Sequence, residues 1–420
     1  MHCCRNFCMR PYFARVISAS LSPNAESDDV ALAVSQLFSP RRWKDGPAIG
    51  EVETWFRAYS DASVAVSFDS GRSALFALLE SFGITAGDEV IVQAFTCVAV
   101  PNAVIGVGAT PIFVDIDDTL NIDPQKLAAS VNSRTKAIIV QHTFGIPAVM
   151  EKILAVARKH KLLVIEDCAH SLGVMYNGKK IGTFGDAAFY SFGRDKVLSS
   201  VWGGVATLSH TSGAKAAMKN LVAYQKQCAM PSNPWIVQQL LHPILFSVII
   251  PFYNSGIGKL LLVLAQRLGV LSLPVKQAEL KGLQLESPKR YPNALANLLK
   301  RQLGKRTKFE KNREDIVSLY IASLKNKGFM LVNVQNTMNL LRFPLLTDSP
   351  ATHIARAKSR GILLGNWYSH VIDPANCDLN RIGYMQGSCP NAERIAKRII
   401  NLPTRIARTD ARRILDLLCL

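Results

Sequence analysis

From residue 64 onward, short runs of consecutive apolar residues alternate with longer stretches in which apolar and polar residues are interleaved. Residues 64–66, 89–92, 111–114, 137–140, 162–165, 187–190 and 205–208 read as buried strands, and helices such as 74–79 and 149–160 fit between them. This alternation predicts a mostly parallel sheet covered on both faces. Farther along, residues 295–324 read as one long basic helix and 330–345 as short strands, and 351–360, 392–400 and 409–418 finish as helices. The pattern predicts an α/β protein with a seven-stranded type of sheet in its large domain and a smaller α+β C-terminal domain. Residues 1–45 have weak periodicity and turn signals at Ser39 and Asp45, so they read as an N-terminal arm. The expected division is an arm (1–45), a large domain (46–210), an insertion (211–286) and a small domain with its connecting helix (287–420).

The insertion departs from the pattern. Residues 229–258 carry no Asp, Glu, Lys or Arg, and the dense apolar run 243–251 is followed by another at 260–265. A membrane-spanning helix needs about 20 apolar residues, and Pro243 and Pro251 interrupt this run, which argues against a simple span. Two readings remain. The first, and preferred, is a helical hairpin packed on the protein or its dimer mate. The second is a monotopic patch on 229–273 dipping into a membrane, favoured by Trp235, Phe252 and Tyr253 near the ends and by the basic run Lys300, Arg301, Lys305, Arg306, Lys308 and Lys311.

Composition narrows the class. The 420 residues are 49% hydrophobic and 19% charged, which suits a filled core and argues against general disorder. The formal charge of +18 calls for anionic partners: nucleic acid, a membrane surface or phosphorylated substrates. Without a nucleic-acid module or interleaved aromatic and basic residues, nucleic acid is not expected. Nine cysteines without a C-x-x-C pair predict free thiols in a reducing cytoplasm and no metal site. The first twenty residues contain Arg5, Arg10 and Arg15 and no acid, but lack an apolar signal core with a cleavage site, so they read as an ordinary terminus.

The chemistry concentrates in three places. Ser191-Phe192-Gly193-Arg194-Asp195-Lys196, followed by Gly203-Gly204, can set a hydroxyl and an amine against one anionic cofactor. Val164-Ile165-Glu166-Asp167-Cys168-Ala169-His170 ends a buried strand in carboxylates, where α/β sheets expose functional groups. An aspartate there can keep a pyridine nitrogen protonated, making the ring a strong electron sink. At Ser67-Phe68-Asp69-Ser70-Gly71-Arg72-Ser73 a strand turns into a helix whose positive end suits a phosphate.

In this order the segments resemble the DegT/DnrJ/EryC1/StrS family of aminotransferases dependent on pyridoxal 5'-phosphate (PLP), which act mostly on keto groups of nucleotide-linked sugars. Further matches are Gly87-Asp88-Glu89-Val90-Ile91, Ala109-Thr110-Pro111-Ile112-Phe113-Val114-Asp115, Tyr176-Asn177-Gly178-Lys179-Lys180-Ile181-Gly182, Cys389-Pro390-Asn391-Ala392-Glu393-Arg394 and Leu402-Pro403-Thr404. The resemblance covers 46–208 and 287–418 and omits the stretch between. It implies the fold type I architecture of PLP-dependent transferases and a homodimer with active sites at the subunit interface. By the same resemblance, Lys196 is the catalytic Schiff-base lysine, Asp167 partners the ring nitrogen and His170 packs near the ring. Ser70, Gly71, Arg72 and Ser191 hold the phosphate.

The chain departs from the family pattern at Arg72, where threonine is commoner, and at Cys97, where an aromatic residue usually stacks on the ring. That stacking is expected to be weaker or to come from Phe95. Tyr291-Pro292-Asn293-Ala294 lies near the family's partner-reaching loop, and His142 is either a pocket wall or a core histidine. In related sugar dehydratases histidine replaces the lysine, so Lys196 favours transamination. The resemblance implies an amino-acid donor, glutamate, and a keto-sugar acceptor carried on a nucleotide or a lipid, used in polysaccharide or antibiotic-sugar assembly. The competing readings are a membrane-docked scaffold without turnover and a PLP-dependent dehydratase.

Overall fold

A seven-stranded sheet forms where the apolar runs predict it. In the computed structural model its order is Val64–Phe68, Gly204–Leu208, Ala187–Ser191, Leu163–Asp167, Thr135–Gln141, Glu89–Gln93 and Thr110–Val114. Gly204–Leu208 runs antiparallel to both its neighbours, and the other pairs are parallel. The structure describes residues 16–211, 214–273, 275–282, 287–325, 327–332 and 338–418. The readings for the first 15 residues, for Cys419 and for part of the 330–345 region lie outside these.

Strands buried on both faces need cover. The Gly71–Ser81 helix buries Ala74, Leu75, Leu78 and Leu79 in one core, and the Met150–His160 helix buries Met150, Ile153 and Ala157 in another. Register then fixes the working edge. Asp167 pairs with Phe189, Ser191 with Gly204 and Gly204 with Phe68, so the ends of three sheet strands and the start of the fourth meet at one edge. In doubly wound sheets this carboxyl edge is where ligands bind.

The C-terminal part is α+β, with a sheet of Met330–Leu331, Arg342–Leu346 and Ile399–Pro403 packed on the Arg306–Leu324 and Arg408–Leu418 helices. Asp115, at the end of one motif, ties this part to the large domain. Its carboxylate accepts from the N–H groups of Asn391 (3.0 Å) and Ala392 (2.8 Å), capping the Pro390–Ala396 helix of another motif, and Lys126 Nζ lies 2.6 Å away. Lys126 and these N–H donors outweigh burial and hold the Asp115 carboxyl below its usual range.

Several expectations change. Residues 16–45 are not a loose arm: Ile17–Ser18 pairs with Ile362–Leu363, and the Ser27–Leu37 helix packs on the insertion and on the Asn293–Gly304 helix. The 295–324 helix is two helices meeting at Lys305, Asn293–Gly304 and Arg306–Leu324, because Gly304 weakens the junction and Lys305 reaches Asp28 and Asp29 at 2.8 and 2.7 Å. Residues 392–400 split into the Pro390–Ala396 helix and a strand, where buried Ile399 and Ile400 pair with Leu346 and Leu345.

The basic run offered as a membrane signal is largely neutralised inside the chain. Lys300 meets Glu51, Arg301 Asp28, Arg306 Glu310 and Lys308 Glu26. Pro243 does not end its helix, Asn233–Ile249, which continues through it. Tyr291 and Asn293 serve their own chain: the Tyr291 hydroxyl donates to Ser200 Oγ (2.6 Å), and the Asn293 side chain bonds Ala48 N and Arg42 O.

Candidate active site

At the carboxyl edge of the sheet lies a cavity of about 530 Å³, within the range of small-molecule sites. One wall is the start of the Gly71–Ser81 helix. Ser70 is its N-cap, accepting from Ser73 N at 3.2 Å, and the first-turn N–H groups have no partner within the helix. A Cβ on Gly71 would sit 2.7 Å from Ser191 Cβ, and one on Gly204 would sit 2.4 Å from the Ser70 carbonyl oxygen. Two glycines thus let the helix start nest against the strand ends, bringing the Ser191 hydroxyl beside a positive helix terminus. That is an anion cradle.

Asp167 ends its strand buried, its Oδ1 accepting from Ala169 N at 2.9 Å. Burial raises its carboxyl pKa, opposed by the Ala169 N–H and by the charges of Lys196 and His142. Lys196 Nζ lies 3.0 Å from His170 Nε2, and His170 Nδ1 accepts from Phe144 N at 3.3 Å. With Nδ1 accepting, the hydrogen-bond network assigns the ring proton to Nε2, where it can be donated to the lone pair of an uncharged Lys196 amine but not to an ammonium. Burial holds His170 well below its ordinary pKa, and the nearby charges of Lys196 and Arg342 reinforce this, so the ring is neutral. His170 is also stacked on Phe144 at 5.8 Å and on Tyr368 at 6.4 Å.

The eight residues expected at the cofactor site line this cavity: Ser70, Gly71, Arg72, Cys97, Asp167, His170, Ser191 and Lys196. Their side chains differ in what they can offer. Arg72 turns toward the insertion, its Nε 2.9 Å from Glu279 Oε1 and its guanidinium 5.3 Å from the centre of the Trp202 ring. Cys97 stands in a two-residue strand paired with Ile372–Asp373, and burial pushes its thiol pKa up. Phe95 does not supply a stacking surface; it is fully buried, edge-on to Phe144 and Tyr368. His142 is a core histidine, its Nδ1 accepting from Ala148 N (3.1 Å) and its Nε2 3.3 Å from Glu166 Oε2. His142, Glu166 and Cys168 cluster closely enough to invite a metal, yet Glu166 already accepts from the N–H groups of Gly182, Phe184 and Gly185, which makes it a structural carboxylate.

Among the cavity residues, Arg342 and Tyr368 escaped the sequence reading, and Arg194 entered it only as part of the motif that carries Lys196. Arg342 is 2% exposed, forms an ion pair with Asp195 and lies 3.7 Å from the centre of the Trp367 ring. Burial disfavours the Asp195 carboxylate, but Arg342 and Lys196 more than compensate and lower its pKa. Arg194 bonds Ser272, and burial pulls its pKa down to about 10. Tyr368 covers His170. The signal for Arg342 was a charge opening the otherwise apolar strand Arg342–Leu346.

The donor set suits PLP. The cradle of Ser70, Gly71 and Ser191 matches a phosphate, buried Asp167 a ring nitrogen and Lys196 an aldehyde carbon, all in one cavity. Sheet, small domain and lysine-bearing cavity define the fold type I architecture, and the crystal structure of NtdA from Bacillus subtilis with bound cofactor PMP shares the fold. The TM-score is 0.72 at 19% identity, over 99% of this chain and 85% of that one.

The model of the DegT/DnrJ/EryC1/StrS aminotransferase family matches residues 24–227 and 272–418, and the chain belongs to that family. Similar relatives include the spore coat polysaccharide biosynthesis protein SpsC of Bacillus subtilis (strain 168). It is 45% identical over 163 residues, 39% of this chain and 42% of that protein. GDP-perosamine synthase of Caulobacter vibrioides is 44% identical over 163 residues, 39% of this chain and 44% of that protein. The chain thus spans less than half the length of either relative.

Proposed function

We propose that this protein is a PLP-dependent aminotransferase that moves an amino group from an amino acid, glutamate, to a keto sugar carried on a nucleotide or a lipid, and that it works as a homodimer. The observation that carries this reading is Lys196 Nζ at 3.0 Å from the neutral His170 ring, in a cavity with the anion cradle and buried Asp167. The family relation and the relatives' names support the sugar acceptor.

Bound PLP would supply a carbonyl carbon that reacts with amines and a ring that accepts the electrons left when a proton leaves the donor Cα. The chain's residues supply the rest. Ser70 and Ser191, with the N–H groups of the helix start, would hold the phosphate, and Asp167 would hold a proton on the ring nitrogen. His170 would orient Lys196 through Nε2 and cover one side of the site. Lys196 Nζ would take up the donor Cα proton as general base and hold it as general acid. Arg194, in the cavity wall, adds positive character that suits an anionic substrate, whereas Arg342 is paired with Asp195.

Absorbance spectroscopy of the holoprotein before and after glutamate tests this. A visible band near roughly 410–430 nm should give way to one near about 330 nm as the cofactor takes up the amino group. A band that glutamate and other amino acids leave unchanged would refute the transaminase reading. Histidine at residue 196 should keep noncovalent cofactor and lose the amino transfer.

A further inference from the structure

The Asn233–Ile249 and Ile257–Arg267 helices form a hairpin within residues 228–271, a stretch the family model leaves unmatched. The first helix is anchored, with Ile236 and Leu240 in the large-domain core and His242 Nε2 2.8 Å from Ser22 Oγ. The second is held by a small cluster containing Leu262 and Ala265 against Phe246 and Ile249. Its outer side is apolar and open: Ile257 is 56% exposed, Leu260 68%, Leu264 48% and Leu268 68%. At ~100° per residue these four and Leu261 share an arc of about 100°. Leu262 and Gln266 fall on the opposite side, where they line the cofactor cavity. One helix thus presents a leucine face outward and a cavity wall inward.

The charge pattern selects the occupant. No Asp or Glu stands between Asp195 and Glu279, Arg267 borders the leucine arc, and Lys259 lies over the Tyr253 ring at 5.4 Å. Two copies meeting through this face would set Arg267 and the acid-free segment of each against the other, whereas an anionic bilayer complements them. Among the described residues no helix is long and apolar enough to cross a membrane, so the helix would lie in the interface plane.

We propose that the Ile257–Arg267 helix docks the protein on an anionic lipid bilayer and sets the cavity wall formed by Leu262 and Gln266 one helix diameter, ~10 Å, from the lipid surface. Where this touches the acceptor it rests on the aminotransferase reading: it selects a lipid-linked keto sugar over a freely diffusing one. The test is flotation of the holoprotein with phosphatidylcholine vesicles, with and without phosphatidylglycerol. The protein should float with the anionic vesicles, less so in high salt, and the L260E/L264E/L268E variant should lose at least about tenfold in partitioning. The glutamate-induced spectral change should be retained by that variant. Wild-type protein that stays with the lipid-free fraction, or a variant that floats as wild type does, overturns the docking. So does a variant that only lowers the oligomeric state in sedimentation, which would make the face a contact between copies. Because flotation needs no turnover, wild-type protein that shows the spectral change but does not float defeats the docking alone, and wild-type protein that floats without any spectral change defeats the aminotransferase reading alone.

Discussion

Replacing Gly71 with alanine tests the anion cradle with one methyl group. The new Cβ would lie 2.7 Å from Ser191 Cβ, 2.9 Å from its Oγ and 3.3 Å from its Cα, roughly 1 Å inside the carbon contact optimum of about 3.5–4.0 Å. Ser191 ends a strand whose partner on one side is Gly204, itself packed on the Ser70 carbonyl, so the strand end has little room to retreat. The hydroxyl must move off the helix start. A hydrogen bond to a charged group contributes about 1.5–3 kcal/mol, so PLP affinity should fall by roughly 10–150-fold, with overpacking costing about 1–3 kcal/mol of apoprotein stability. Titration of apoprotein with PLP, followed by absorbance, reads the first effect, and thermal unfolding of the apoprotein reads the second. Gly50→Ala is the matched control: its Cβ meets nothing within 4 Å, and it should leave PLP affinity unchanged and stabilise by about 0.4–1 kcal/mol. If Gly71→Ala lowers the melting temperature but keeps PLP affinity within about twofold of wild type, the phosphate is not held at this helix start.

Asp167→Asn should cut the rate of the glutamate half-reaction by on the order of 100-fold or more while PLP still binds, because a neutral amide cannot hold the ring proton; stopped-flow absorbance measures this, and an unchanged rate would remove Asp167 from the mechanism. Asp115→Ala strips the N-terminal cap from the Pro390–Ala396 helix and strands Lys126, and should cost about 2–4 kcal/mol in denaturant unfolding; a loss under about 0.5 kcal/mol would contradict the interdomain tie. The pKa values of His170 and His242 are both held well below the ordinary value, mainly by burial. Below pH ~6.5 the unfolded chain therefore binds protons that the folded chain refuses, and stability falls as pH falls, by up to ~1.4 kcal/mol per pH unit for each histidine. Apoprotein melts at pH 5 to 7 should show this slope, and His242→Gln should flatten it.

The large sheet was legible because its strands are buried on both faces, so each is a continuous apolar run independent of its neighbours. The cofactor motifs were equally local: Ser70-Gly71, Asp167 and Ser191 through Lys196 sit at strand ends whose turn chemistry is written in adjacent residues. Composition and pattern misread whatever depends on a distant partner. Residues 27–37 look like an arm until the acids Asp28 and Asp29 meet Lys305, and the basic run read as a lipid signal is largely matched by acids elsewhere in the same chain. Arg342 and Tyr368 enter the cavity from segments with no motif of their own. Cys97 could be identified as a departure, but only packing shows that Phe95 turns into the core and cannot replace the missing aromatic. Local sequence therefore determined the sheet and the residues gathered at its carboxyl edge, which rest on neighbouring residues. Tertiary structure decided which charges are neutralised, which side of the inserted hairpin stays open, and what surrounds Lys196, because those depend on side chains brought together from residues far apart in the chain.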